Sequence, residues 1–322
     1  MKAIVYRRYG SPDVLKCEEI EKPTAGDNEV LIKVRAASVN PADWHLMRGP
    51  YIVRILTGLR KPKDTRLGRD VAGRVEAVGR NVTQFRPGDE VFGTCRGAFA
   101  EYACISESKL ATKPNNMTFE QAASVPIAAL TALQGLRDKG RIQPGQKVLI
   151  NGAAGGVGTF AVQVAKSFGA KVTGVCSTRN VDMVRSLGAD HVTDYTREDF
   201  TKGTQRYDMI LDLVGNHSLS ACRRVLNPKG IYIGAGVLAV RSMIGILARL
   251  ITAPLLSRFV SQSFLNFMAR ICKDDLTIMR KLMEAGKVTP VIDKRYRLSE
   301  VPEAIRYLAE GHARGKVVIT LE

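Results

Sequence analysis

Paired cysteines, aromatic residues, acidic residues and long apolar runs are all scarce in this chain, and each scarcity removes a class of protein. Six cysteines (Cys17, Cys95, Cys104, Cys176, Cys222 and Cys272) are spread over 322 residues, no two of them in a Cys-x-x-Cys spacing. That argues against a disulfide framework or a zinc knuckle and fits a reducing compartment. Aromatics make up only 6% of the chain, and no RNA-binding signature accompanies them, so no specific nucleic-acid partner is expected. No uninterrupted apolar run reaches the roughly 20 residues needed to span a bilayer. The opening stretch, MKAIVYRRYG, starts directly with strand-like alternation rather than a signal or transit peptide. A cytoplasmic protein is expected. Acidic residues number 31 against 48 Lys and Arg, leaving a net charge of +17. Such a field attracts nucleic acid, anionic lipid or a phosphorylated small molecule, and it also suits a merely solvated basic surface.

What is present is the material of a globular protein. Hydrophobic residues reach 45% and charged residues 25%, in a chain long enough for two domains. The first 115 residues read as short strands (29–39, 74–79, 89–93 and 99–105) broken by turn signals such as RPGDE. From Thr118 the texture changes to a helical run, 118–136, with Thr118 as its N-cap. Strands at 147–151, 171–175, 191–194, 207–213 and 230–234 then alternate with helices at 156–167, 180–187 and 217–226. That alternation indicates a parallel sheet with right-handed crossovers. Residues 237–272 stand apart: they are apolar but interrupted by Arg241, Arg249, Arg258 and Arg270, with Pro254 set to break any helix. Two readings stay open for this segment, a lid or subunit contact, or a basic amphipathic element on a membrane surface.

The stretch NGAAGGVGTF, 151–160, gives up side chains between an apolar strand and a helix. In that setting, Ala153-Ala154-Gly155-Gly156-Val157-Gly158 is a variant of Gly-x-Gly-x-x-Gly with alanine in its first place. Gly155 lets backbone approach a pyrophosphate, Gly158 lets the helix pack tightly on the sheet, and the N–H groups at the helix start hold phosphate. The second strand ends in Cys176-Ser177-Thr178-Arg179-Asn180, without the acid that binds the ribose hydroxyls of NAD. Ser177 and Arg179 suit a 2′-phosphate instead, so NADPH is the expected cofactor. Tyr195 is placed beside the adenosine or as a half-buried residue at a strand end.

Across essentially its whole length the chain resembles the medium-chain dehydrogenase/reductases, in the zinc-independent quinone oxidoreductase branch. The resemblance is carried by VLIKVRAASVNPAD, LGRDVAGRVEAVG, FRPGDEVFG, GAFAEY, GAAGGVGTFAVQVAK, LGADHVTDY and GHARGKVVI. It implies an α/β protein: a Rossmann doubly wound parallel sheet at 121–283, and a GroES-like, mainly β substrate domain at 1–120 completed by about 284–322. It also implies a cleft active site and, often, a homodimer formed through the Rossmann sheet edge.

Zinc-dependent relatives carry a metal-ligating Cys where this chain has Asn40, and a His-Glu pair where it reads Arg69-Asp70. An arginine has no lone pair for a metal, so no metal site is expected. Without a Lewis acid, an already electrophilic acceptor, a quinone or an α,β-unsaturated carbonyl, is the implied substrate. The resemblance assigns Asn40 and Tyr51 as donors to the substrate oxygen. It places Thr131 near the nicotinamide, and His312, Arg314 and Lys316 near the cofactor. Asp43 and the other histidines are taken as structural, and 51–66 as part of the pocket mouth. Two alternatives stand beside this reading: a zinc-free NADPH-dependent alcohol or carbonyl dehydrogenase, and a non-catalytic relative that binds membrane or RNA.

Overall fold

A computed structural model describes residues 1–235, 257 and 260–321, with the side chain of Ile52 left aside. It divides into two compact units: residues 1–127, 271–286 and 290–322 form the first, and residues 128–270 with 287–289 form the second.

The first unit is built on a seven-stranded, mainly antiparallel sheet. Its long central strand, Glu29–Val39, pairs antiparallel with Asp70–Val78, with Tyr102–Ser106 and with the last strand of the chain, Lys316–Thr320. Only Ile292–Arg297 runs parallel to its neighbour, Lys316–Thr320. Alternating apolar residues close the core around Ile32, Val71, Val91, Phe99 and Ile319. The helix Lys273–Glu284 belongs to this unit, ahead of the boundary near 284 expected from sequence. Its buried Leu276, Met279 and Met283 and the bond from Asn116 Nδ2 to the Met283 carbonyl (3.0 Å) hold it there.

The second unit is an α/β layer on a six-stranded, wholly parallel sheet. Its strands are Lys147–Asn151, Lys171–Cys176, His191–Asp194, Tyr207–Asp212, Leu226–Ala235 and Ser263–Phe267. Numbered along the chain, they lie in the order 3-2-1-4-5-6. The order reverses between Lys147–Asn151 and Tyr207–Asp212, which creates a switch point where ligands bind in such sheets. This is the doubly wound Rossmann arrangement, and the first unit is GroES-like.

Two expectations change in detail. The helical run from Thr118 breaks into Phe119–Ala123 and Pro126–Gln134, because Pro126 has no N–H to continue the ladder. Thr118 does cap the first piece, accepting from the Gln121 N–H at 3.2 Å. Within the 237–272 segment, Ser263–Phe267 is the sixth strand, at the edge of the sheet, with Phe264 fully buried, and so is part of the sheet rather than a lid or an amphipathic element. The remaining lid and membrane readings of that segment, Pro254 included, fall mostly outside the described residues. Among the described residues no helix is long and apolar enough to cross a membrane.

Candidate active site

The glycine stretch sits at the switch point. The strand Lys147–Asn151 ends at Asn151, whose Nδ2 donates to Asp212 Oδ1 and to Asn216 Oδ1, each at 2.9 Å. Asp212, buried, also accepts from the Tyr232 hydroxyl (2.6 Å) and from the Val214 and Gly215 N–H groups. Both oxygens of this carboxylate accept hydrogen bonds, which ties the ends of the two strands flanking the crevice.

After Asn151 the chain turns through Gly152, in the left-handed region at φ +89°, and enters the helix Gly156–Ser167. The glycines of the turn differ in what they spare. A β-carbon on Gly158 would collide with the Gly152 carbonyl oxygen and stand 2.7 Å from the Ala153 backbone. Gly158 is therefore required by the close seating of helix on strand. A β-carbon on Gly155 would meet nothing nearer than the Gly152 oxygen at 3.5 Å, and the backbone there is extended. The folded chain itself would therefore accept a β-carbon at Gly155. Ala153 is fully buried against Gly174 of the second strand, where a larger side chain would not fit. The first N–H groups of the helix, around Gly156, Val157 and Gly158, have no intrahelical acceptor and face a favourable end of the helix dipole for an anion.

The second strand ends as the sequence suggested, with additions that the sequence did not show. Asn180 Nδ2 donates to Ser177 Oγ at 3.1 Å, while Asn180 Oδ1 is buried without a partner. Thr178 is not free for a ligand: its hydroxyl donates to Asp194 Oδ2 at 2.6 Å and lies 2.9 Å from the Thr196 hydroxyl. Asp194, at the end of the third strand, is the acid nearest this edge in the hydrogen-bond pattern. Its carboxyl is held below the usual range by the Thr178 and Thr196 hydrogen bonds and by Arg197, 3.5 Å away. Sequence inspection of the second strand alone could not find it. Arg179 is exposed, and Tyr195, also exposed, is joined to the second strand by its N–H to the Cys176 carbonyl (3.0 Å). Thus Ala154, the Gly155–Gly158 turn, Ser177, Arg179 and Tyr195 gather at the carboxyl edge of one sheet. Thr131, half-buried, is in the same unit, on the helix Pro126–Gln134.

Asn40, Tyr51, His312 and Arg314 belong to the first unit. Asn40 is only 2% exposed. Its Nδ2 donates to Asp70 Oδ2 (3.0 Å) and, more weakly, to the Ser38 carbonyl (3.4 Å), and its Oδ1 accepts from the Lys316 ammonium at 2.7 Å. Lys316, expected on a basic turn near the cofactor, is instead buried, with its Nζ 3.5 Å from Asp70 Oδ2. Asp70 accepts further from Ser38 Oγ (3.1 Å) and from the Ile127 N–H (3.1 Å). Asp43 reaches back to the N–H of Asn40 (2.8 Å) and forward to that of Gly68 (3.2 Å). Burial raises the Asp43 carboxyl to about 7, raises that of Asp70, and lowers the Lys316 ammonium. At this place the Lys316 ammonium sits among Asn40 Oδ1, Asp70 Oδ2 and the Val39 carbonyl (3.4 Å). The only sequence signal for Lys316 was its place at the head of the buried strand KVVIT.

Tyr51 opens the helix Tyr51–Thr57 and is 77% exposed, so it and Asn40 sit in opposite environments. His312 and Arg314 lie on the turn before the last strand, where the Arg314 N–H donates to Asp293 Oδ2 at 2.9 Å. Among the described residues no three His, Cys, Asp or Glu side chains gather as a metal site.

A 3-2-1-4-5-6 parallel sheet with a glycine cradle at its switch point, in a chain that also carries a GroES-like β unit, defines a dehydrogenase/reductase architecture. Comparison with known proteins narrows that class. An alcohol dehydrogenase GroES-like domain model matches residues 26–115, and a zinc-binding dehydrogenase model matches 187–319. The chain is 37% identical to the NAD(P)H oxidoreductase RTN4IP1, mitochondrial, of Bos taurus, over 100% of this chain and 89% of that protein. It is 37% identical to the NADPH-dependent alkenal/one oxidoreductase, chloroplastic, of Arabidopsis thaliana, over 99% of this chain and 79% of that one. The quinone oxidoreductase from Coxiella burnetii has the same fold, with a TM-score of 0.87 at 31% identity over 100% of this chain and 99% of that one. The chain belongs to the medium-chain dehydrogenase/reductase family of oxidoreductases, on its quinone and alkenal/one oxidoreductase side.

Proposed function

We propose that the protein is an NADPH-dependent reductase of quinones or α,β-unsaturated carbonyls that works without a metal. The observation that carries this is the room at Gly155 beside the closed packing at Gly158. The residues at the sheet edge fit a dinucleotide. Gly155 and the helix-start amides accommodate a diphosphate, Ser177 and the Arg179 guanidinium suit a 2′-phosphate, and the unpartnered Asn180 Oδ1 would accept from a ribose hydroxyl. The Arg197 guanidinium, 3.5 Å from Asp194, offsets part of the repulsion that this carboxylate would exert there. The relative named as NADPH-dependent supports the same choice.

When bound, the cofactor supplies hydride. The chain's part is to orient the acceptor and stabilise the oxygen on which negative charge appears. Tyr51 is assigned that donor role. Asn40, whose amide is committed to Asp70 and Lys316, is assigned to holding the turn that leads to it. Metal independence follows from donor chemistry, since Arg69 offers no lone pair and the oxygen of Asn40 already faces an ammonium. The test is NADPH oxidation against a quinone, an enone and a simple ketone, with a chelator present. Turnover of the first two and not the third supports the proposal. Turnover of the ketone alone favours a zinc-free carbonyl reductase and overturns it.

A further inference from the structure

Eight large hydrophobic side chains are exposed among the described residues, and four of them fall within nine positions: Tyr51 (77%), Ile55 (58%), Leu56 (81%) and Leu59 (61%). The helix Tyr51–Thr57 turns its polar side inward. Arg54 donates from Nε to the Gly49 carbonyl (2.6 Å) and stands 4.8 Å from the centre of the Tyr9 ring. Thr57 Oγ1 bonds the Val53 carbonyl and lies 2.8 Å from the Tyr9 hydroxyl, which also donates to the Gly58 carbonyl at 2.7 Å. The next loop is folded back by the Lys63 N–H on the Thr57 carbonyl (2.8 Å) and by buried Pro62. Gly58, at φ +123°, has no room for a β-carbon beside the Lys61 carbonyl. The apolar residues are therefore held outward on a braced element.

Its charge is one-sided. From Trp44 to Lys63 the sequence holds Arg48, Arg54, Arg60, Lys61 and Lys63 and no acid. Arg60, Lys61 and Lys63 are exposed, and none of them is in an ion pair among the described residues. Exposed apolar side chains clustered at Ile55, Leu56 and Leu59 and rimmed by cations suit a contact surface. A second copy of the chain would bring the same cations against these, which like-charge repulsion opposes. The geometry points to an anionic lipid bilayer: we infer that the end of this helix and the 58–63 loop, and not Tyr51 at the helix start, seat the protein on such a surface, Ile55, Leu56 and Leu59 entering the headgroup boundary and Arg60, Lys61 and Lys63 meeting lipid phosphate.

Vesicle sedimentation tests this with the full chain and two kinds of vesicle, pure phosphatidylcholine and phosphatidylcholine with about 30 mol% phosphatidylglycerol. The wild type is expected to partition at least about ten-fold more onto the anionic vesicles, and to lose that gain as salt shortens the Debye length. Leu56→Glu/Leu59→Glu and Arg60→Glu/Lys61→Glu, all at exposed positions, are each expected to cut anionic partitioning at least about ten-fold while leaving the melting curve unchanged. Equal partitioning of wild type and both variants overturns the inference, as does absence of wild-type binding to the anionic vesicles. So does a wild-type dimer, seen by light scattering without lipid, that Leu56→Glu/Leu59→Glu converts to monomer, since that assigns the face to a second copy.

Discussion

Arg179 and Asp43 show how differently two charged residues enter the same protein. Arg179 is exposed at the end of the second strand, in the place where an acid would select the other cofactor. Arg179→Ala is expected to weaken NADPH by about 1.5–3 kcal/mol, the value of a charge-assisted hydrogen bond, and to leave NADH nearly unchanged. Parallel calorimetric titrations check it, and equal losses for both would assign the 2′-phosphate elsewhere. Asp43 is sealed in the first unit near Asp70, Arg69 and Lys316, and burial raises its carboxyl to about 7. The folded state then holds a proton that the unfolded chain has released. This stabilisation is complete below about pH 4 and falls away as pH rises through about 7. Asp43→Asn has no proton to lose; it keeps an acceptor for only one of the Asn40 and Gly68 N–H groups, which meet different oxygens of Asp43, so its overall stability is lower and the comparison is of its slope with pH. Its melting temperature is expected to decline less between those pH values than that of the wild type, by an amount worth roughly a few kcal/mol at neutral pH. An unchanged slope would show that Asp43 does not titrate there.

The glycine turn carries the clearest test at the level of an element. Gly155→Val places its β-carbon at an ordinary contact distance, 3.5 Å from the Gly152 oxygen, with backbone angles any residue accepts, so the protein should melt as the wild type does and bind no dinucleotide. Gly158→Ala drives a methyl into the Gly152 carbonyl, so it should lower the melting temperature by several degrees whether or not a ligand is added. If both variants fold and bind normally, the turn is not the cofactor site. That turn, its strand and its helix were legible in the sequence because glycine chemistry and period-2 and period-3.6 patterns are local. The strand Ser263–Phe267 was not, since it lies at the end of an Arg-broken apolar run with no turn signal before it. Nor was the Lys316–Asn40–Asp70 network, whose members are far apart in the chain and meet only because the last strand pairs with Glu29–Val39. A lysine in GHARGK reads as surface until that pairing is known. Asp194 escaped for a similar reason, because it reaches the second strand from the third.

At the level of the whole molecule, the charge of +17 and the fold answer different questions. The parallel sheet and the GroES-like unit establish the family, and catalytic ability rests on sites that the fold merely presents. Tyr51→Phe is expected to lower kcat at least about ten-fold with little change in KM, because a donor to developing charge acts mainly in the transition state. An unchanged kcat would return the donor role to solvent or to another group. Before turnover, however, comes occupancy of the crevice at the switch point. Titrating wild type and Gly155→Val with NADPH and with NADH by calorimetry, in the presence of a chelator, should give tight NADPH binding to the wild type, weaker NADH binding, and neither in the variant. NADPH binding of equal strength to both proteins, or none to either while quinone reduction persists, would contradict a cofactor cradled at that turn.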